Sequence, residues 1–299
     1  MKTLTANFAY PALPAMLLPL LFIIMWSSGY VVGKLALPFV GPYTLIFIRF
    51  ASAALILLVV SLLTQAPWPK TRAQFGHLIV VGLLIQALQF AGLYRGLGLG
   101  VSAAVAALIV GTMPVLTALG ATRFLNEKLG RVEWFGLIGG LFGVALVVYE
   151  QLGNATAASL PAYLYVVLAL VGISAGSLYQ KKFCSGMDLR TGGFVQLTTA
   201  AIVMFFLADH FENLAVQWTP TMIFASGWLS LVNSIGAISI LFILMRKGEA
   251  SKVAGLFHLI PGVTALMGFV FLGETFSAMN AVGFAITALA VYACTHVKK

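Results

Sequence analysis

Ten apolar runs, most of them about 20 residues long, fill this 299-residue chain and are separated only by short polar breaks. They fall at Met16–Ala36, Pro42–Leu63, Gln74–Gly98, Ala103–Leu125, Trp134–Tyr149, Pro161–Lys181, Gly192–Leu207, Met222–Met245, Val253–Leu272 and Ala278–Val297. A helix of about 20 residues crosses the roughly 30 Å hydrocarbon layer of a bilayer. Inside that layer each backbone N–H and C=O must be bonded within the protein, which leaves helices as the form such runs can take. The sequence therefore predicts an all-α integral membrane protein with ten transmembrane helices. No break is long enough to hold a separate soluble domain.

Composition agrees: 61% of residues are hydrophobic and 8% are charged, against about 25% charged in soluble chains. That excludes a soluble enzyme, a disordered chain and a DNA-binding domain. The net charge of +9 does not point to nucleic acid, because the basic residues lie singly or in pairs between apolar runs. They report topology instead. With the N-terminus inside, 14 of the 17 Lys and Arg residues fall in cytoplasmic segments, as short cytoplasmic loops require. Both termini are then cytoplasmic, which needs an even number of crossings. The apolar run that follows Lys2 is longer than the core of a signal peptide and is read as the first span. Cys184 and Cys294 have neither disulfide-framework nor metal-ligand spacing.

An internal repeat carries the architecture further. A shift of 147 positions lays Ser27 on Ser174, Lys34 on Lys181, Pro114 on Pro261, Glu127 on Glu274 and Gly136 on Gly283. Lys, Pro and Glu are scarce enough here that one gapless offset aligning all three is informative. Residues 1–150 and 151–299 then form two five-helix units, and an odd helix count makes the second enter the membrane inverted. Inverted repeats are the architecture of alternating-access carriers, whose substrate site lies near the midplane between the halves.

Three stretches carry a resemblance: Trp26-Ser27-Ser28-Gly29-Tyr30-Val31-Val32-Gly33-Lys34; Ser102-Ala103-Ala104 through Pro114 to Glu127-Lys128-Leu129; and Glu249-Ala250-Ser251 through Pro261 to Gly273-Glu274. In this order the chain resembles the EamA-type branch of the drug/metabolite transporter superfamily over nearly its whole length. The resemblance implies a multi-pass inner-membrane carrier, usually an exporter of amino acids or related metabolites, with no prosthetic group. The partners expected are a small-molecule substrate and the lipid bilayer, with no nucleic acid and no metal, and the chain is expected to act as a monomer.

Candidate cavity residues are polar or aromatic groups inside the spans. Trp26, Tyr30 and Lys34 share a face of the first helix, with Ser28 nearby. Trp and Tyr suit an amphipathic solute, or an interfacial belt. Gln86 and Gln89 share a face of the third helix, and the repeat places Asn233 on Gln86 and Gln196 on Arg49. Such amides either bond substrate or join helices. Tyr94, Tyr179 and Trp228 complete the aromatic set. Arg49, costly at membrane depth, holds a substrate carboxylate or pairs with a protein acid. His258 is a substrate contact, a proton carrier or a packing residue. Lys34 with Glu274 and Lys181 with Glu127 are expected at opposite membrane faces, as alternating gate pairs or as helix-end anchors. Pro114 and Pro261 are expected to kink the fourth and ninth helices. All eight acids lie in loops or near helix ends, so facilitated transport or exchange is favoured over carboxylate-based proton coupling. No nucleophile–base set or phosphate loop supports an enzyme, and the repeat disfavours a static pore. A sugar-phosphate antiporter would need more basic residues than Arg49 and Lys34, and a multidrug exporter is the other alternative within the superfamily.

Overall fold

The computed structural model describes residues 17–124, 130–152, 158–240, 244, 257, 259–275 and 277–296. Its elements are helical: α1 Leu17–Ala36, α2 Pro42–Leu63, α3 Arg72–Gly98, α4 Ala103–Phe124, α5 Arg131–Leu152, α6 Leu160–Phe183, α7 Leu189–Glu212, α8 Pro220–Ile240, α9 Ile260–Leu272 and α10 Ala278–His296. Among the described residues, seven of these are long and apolar enough to cross a membrane: α1 to α4 and α6 to α8. The expectation of ten spanning helices is thus met only in part. Shorter apolar stretches, Trp134–Glu150, Ile260–Leu272 and Ala278–Ala290, stand at the other three places.

Local chemistry sets the helix boundaries. Thr71 caps α3 by accepting from the Gln74 amide while Gln74 reaches back, a reciprocal capping box. Ser102 caps α4, Asp188 caps α7 and Thr219 caps α8 through side-chain oxygens. Pro42 and Pro220 sit in first turns, where their missing N–H costs no bond. Asn213, at φ 51°, ends α7 in the left-handed region.

Connections alternate between two ends of the bundle. Gln217 N–H donates to Phe39 O (2.8 Å), joining the α1–α2 and α7–α8 loops at one end, called A. Arg190 donates to Thr64 Oγ1 (2.8 Å) and Thr191 to Pro67 O (2.8 Å) at the other, called B. The most extensive packing joins α2 to α7 and α5 to α10; α1 lies on α8 and α9, and α6 on α3 and α4. Outward-facing Phe135, Phe142, Leu266, Phe269, Phe271 and Leu289 are exposed, which in water would be an aggregation hazard and in lipid is the expected surface.

Irregularities recur at matching places. Residues Gly82–Leu88 of α3 and Trp228–Ala237 of α8 wind as π-helix. α4 breaks at Thr112 and resumes at Met113, 147 positions before Ile260 begins α9. Pro114 has no N–H to give, and Thr112 closes the turn instead: its N–H and Oγ1 both donate to Ile109 O, at 3.1 and 2.6 Å. Pro261 lies in the first turn of α9. Phe257 is helical and Leu259 a turn, so among the described residues the helical path breaks just before Pro261 as it does at Thr112 before Pro114.

Candidate functional site

A cavity of about 780 Å³ lies among α1, α2, α3, α4, α6, α7 and α8. Among the described residues, neither α5 nor α10 lines it. Its mouth is at end B, where Lys181, Cys184, Met187, Asp188 and Arg190 form the rim. Its inner part is lined by Trp26, Tyr30, Arg49, Gln86, Gln89, Phe90, Tyr94, Gln196, Asn233 and Ser234. Phe257 packs edge-on against Trp26, with ring centroids 5.4 Å apart.

The π segments decide which side chains face this space. A π turn inserts an extra residue and re-aims those that follow, a distortion frequent at functional sites. Gln86 lies within the α3 segment and Asn233 within that of α8. Gln89 follows directly and is buried.

Arg49 is the focus. It is 5% exposed, donates from Nε to Ser234 Oγ (2.8 Å) and from Nη1 to Tyr94 Oη (2.9 Å), and lies 4.5 Å above the Phe90 ring. Among the described residues no carboxylate forms an ion pair with it. A buried guanidinium held by two hydroxyls and by the rings of Phe90 and, at 5.4 Å, Phe50 is incompletely compensated for its lost hydration. Asn233 Nδ2 donates to Met25 O, which can only accept, so the amide orientation is fixed. Among the described residues its Oδ1 is buried without a partner, as is Thr117 Oγ1, and both residues line the cavity.

End A is closed. Tyr94 Oη donates to Gly29 O (3.2 Å), and its ring lies against Gly33, where a Cβ would stand 2.8 Å from the hydroxyl oxygen. Beyond it, Lys34 Nζ pairs with Glu274 Oε1 (2.8 Å) and donates to Val101 O (3.0 Å). Glu274 also accepts from the Ala103 N–H (2.7 Å), at the start of α4. The pair joins α1, the α3–α4 turn and the α9–α10 loop.

Three candidates fall elsewhere. Ser28 is turned toward α8: it donates to Met25 O (2.7 Å) and accepts from Trp228 Nε1 (2.8 Å), and neither Ser28 nor Trp228 lines the cavity. Tyr179 is taken up by His77, Nδ1 to Oη 2.9 Å, and by Phe183, ring centroids 4.6 Å apart. It packs beside Leu78, Val81, Cys184 and Val195 and is not itself among the residues lining the cavity. His258 and Glu127 lie outside the described residues. Ser234, Phe90 and Thr117 were not singled out from sequence. Ser234 adjoins Asn233, and Thr117 follows Pro114 by one turn, which is the signal that could have found them.

At the rim, Arg190 holds the Asp188 carboxyl below its ordinary range, chiefly through its side-chain hydrogen bonds. Because the folded value is lowered, this contribution to stability is complete above the ordinary carboxylate range of about 4. It is lost as pH falls through the lowered value. A half-exposed pair of this kind is worth at most about 1 kcal/mol. The Asp188→Asn variant should therefore melt slightly below the parent at pH 7, with the difference vanishing at low pH in a thermal-melt series.

A multi-pass helical bundle with a large internal cavity open at one end and sealed at the other defines a membrane transport protein. The profile of the EamA-like transporter family matches residues 13–149 and again 160–295, and the chain belongs to that family. It is 25% identical to the inner membrane transporter YedA of Escherichia coli over 91% of this chain and 87% of that one. It is 27% identical, over 92% of each chain, to a Salmonella typhimurium protein named "probable amino-acid metabolite efflux pump". A chloroplastic WAT1-related protein of Arabidopsis thaliana is 25% identical over 89% of this chain, which spans 66% of that protein's length, just under two thirds. One crystal structure superposes with a TM-score of 0.63 over 93% of this chain and 94% of its own at 18% identity, a likeness of fold alone.

Proposed function

We propose that this protein is an inner-membrane carrier that exports amino acids or related small amphipathic metabolites. It works by alternating access between two inverted five-helix repeats, residues 1–150 and 151–299, by facilitated diffusion or exchange. The observation that carries the reading is Arg49, a buried cation facing a large cavity whose partners among the described residues are all neutral. Amides and aromatic rings around it suit the polar and apolar parts of an amino acid. The Salmonella relative's name points the same way.

The repeat reading draws on the packing. Adding five to each helix number exchanges the contacts of α1 with α8 and α9 for those of α6 with α3 and α4, and maps the pairs α2–α7 and α5–α10 onto themselves. The π segments and the starts at Met113 and Ile260 follow the same rule. Lys70, Arg72, Arg123, Arg131, Lys182 and Arg190 cluster toward end B, which supports assigning that end to the cytoplasm. The cavity then faces inward, and Lys34–Glu274 is the closed outer gate.

Counterflow in proteoliposomes tests this. With unlabelled amino acids inside, labelled amino acid outside and no ion gradient, saturable uptake is the expected result. Uptake that appears only under an imposed proton gradient would overturn the exchange reading. No uptake under any gradient would overturn amino acids as substrates.

A further inference from the structure

Tyr94 stands between the cavity cation and the end A closure, and its hydroxyl is engaged on both sides. It accepts from Arg49 Nη1 (2.9 Å) and donates to Gly29 O (3.2 Å). Its ring presses on α1 at Gly33, next to Lys34, whose ammonium is bound to Glu274. One continuous set of contacts thus runs from the guanidinium to the outer gate pair.

We infer that Arg49 is the carboxylate anchor of this site and that Tyr94 passes its occupancy to the Lys34–Glu274 closure. The inference rests on the transport reading above. A carboxylate arriving from the cavity offers the guanidinium two charge-assisted hydrogen bonds, a stronger set than the two hydroxyls it now holds. Binding draws Arg49 from Tyr94, and the phenol loses the donor that orients it against α1. The coupling has a defined sign because the carboxylate interacts with only one of the two arrangements, Arg49 on Tyr94 or Arg49 on substrate. A solute without a carboxylate gains nothing from releasing Arg49 and leaves α1 latched.

The test uses spin labels at Pro38→Cys, in the α1–α2 loop, and Thr275→Cys, next to Glu274, two exposed end A positions. Cys184 and Cys294 are replaced by Ser, and the full chain is held in lipid nanodiscs. The probes are a mixture of neutral amino acids and the same mixture as α-amides, which keep the shape but lose the negative charge. The expected result is a longer label separation with the amino acids and none with the amides. Arg49→Gln should raise the half-saturating concentration on the order of 10–100-fold. Tyr94→Phe, which keeps the ring on Gly33, should no longer lengthen the separation even at amino acid concentrations that saturate it by calorimetry.

An equal response to the amides would overturn the anchor while leaving counterflow, and so the transport reading, intact. A persisting response in Tyr94→Phe, or loss of its binding, would overturn the relay. Counterflow without any change in separation would overturn the coupling. Silence in both assays would overturn the proposal together with the reading on which it rests.

Discussion

Gly92→Val is expected to prevent the bundle from assembling, with a loss of about 3 kcal/mol or more and little folded protein recovered from membranes. At Gly92 a Cβ would collide with the Tyr165 carbonyl oxygen and stand 2.9 Å from the Ala169 amide nitrogen. Both obstacles are backbone of α6, so no rotamer change relieves them. The neighbouring contacts are as tight: a Cβ on Gly172 would lie 2.8 Å from Leu84 O and 3.0 Å from Gln89 N of α3. Between membrane helices, where lipid removes most of the hydrophobic incentive to associate, such close approach is what stabilises packing. This crossing also fixes the π segment of α3 that bears Gln86. Gly92→Ala sets the same Cβ against the same backbone and should already lower yield and melting temperature, though less than Gly92→Val, whose two methyl groups add to the overlap. Gly76→Ala, with nothing within 4 Å of its Cβ, is the control and should be neutral. Comparing the three by detergent melting and yield checks the assignment, and a neutral Gly92→Val would refute the crossing.

Most helices and their order are legible in the sequence because bilayer thickness sets the length of a span, although Trp134–Glu150, Ile260–Leu272 and Ala278–Ala290 are shorter than a full crossing. Which face each helix turns inward was less legible. Ser28 and Trp26 lie two residues apart, yet one bonds Trp228 and the other lines the cavity. Helical periodicity alone does not say which flank meets a neighbour. The π segments escaped notice for a related reason: one inserted residue rotates everything after it, and no residue type marks it. Tyr179 misled because a tyrosine at membrane depth reads the same whether its hydroxyl meets a substrate or, as here, His77. Arg49 left two readings open, a protein acid or a substrate. Only the neighbours that folding brings to it, Ser234 and Tyr94, bear on the choice.

The second large effect is expected at Glu274. Truncation to Ala removes the acceptor of Lys34 Nζ and of the Ala103 N–H together, costing about 2–4 kcal/mol, since both groups are largely withdrawn from solvent. The same carboxylate serves as counter-ion and as cap for α4, so charge reversal is not a clean test of pairing. In the Lys34→Glu, Glu274→Lys double variant the ion pair can re-form, but a lysine has no lone pair for the Ala103 amide. The double variant should therefore recover only part of the loss of Glu274→Lys. Glu274→Gln separates the two roles, because its amide oxygen still accepts from the helix terminus while the charge is gone. If the ion pair holds end A shut, Glu274→Gln should stay folded and shift the carrier toward the outward-open state, read as a longer separation between end A labels without substrate. If the pair is only a helix-end anchor, Glu274→Gln should melt slightly lower and leave that separation unchanged. The two roles thus predict opposite rankings, structure before conformation or conformation before structure, in one variant.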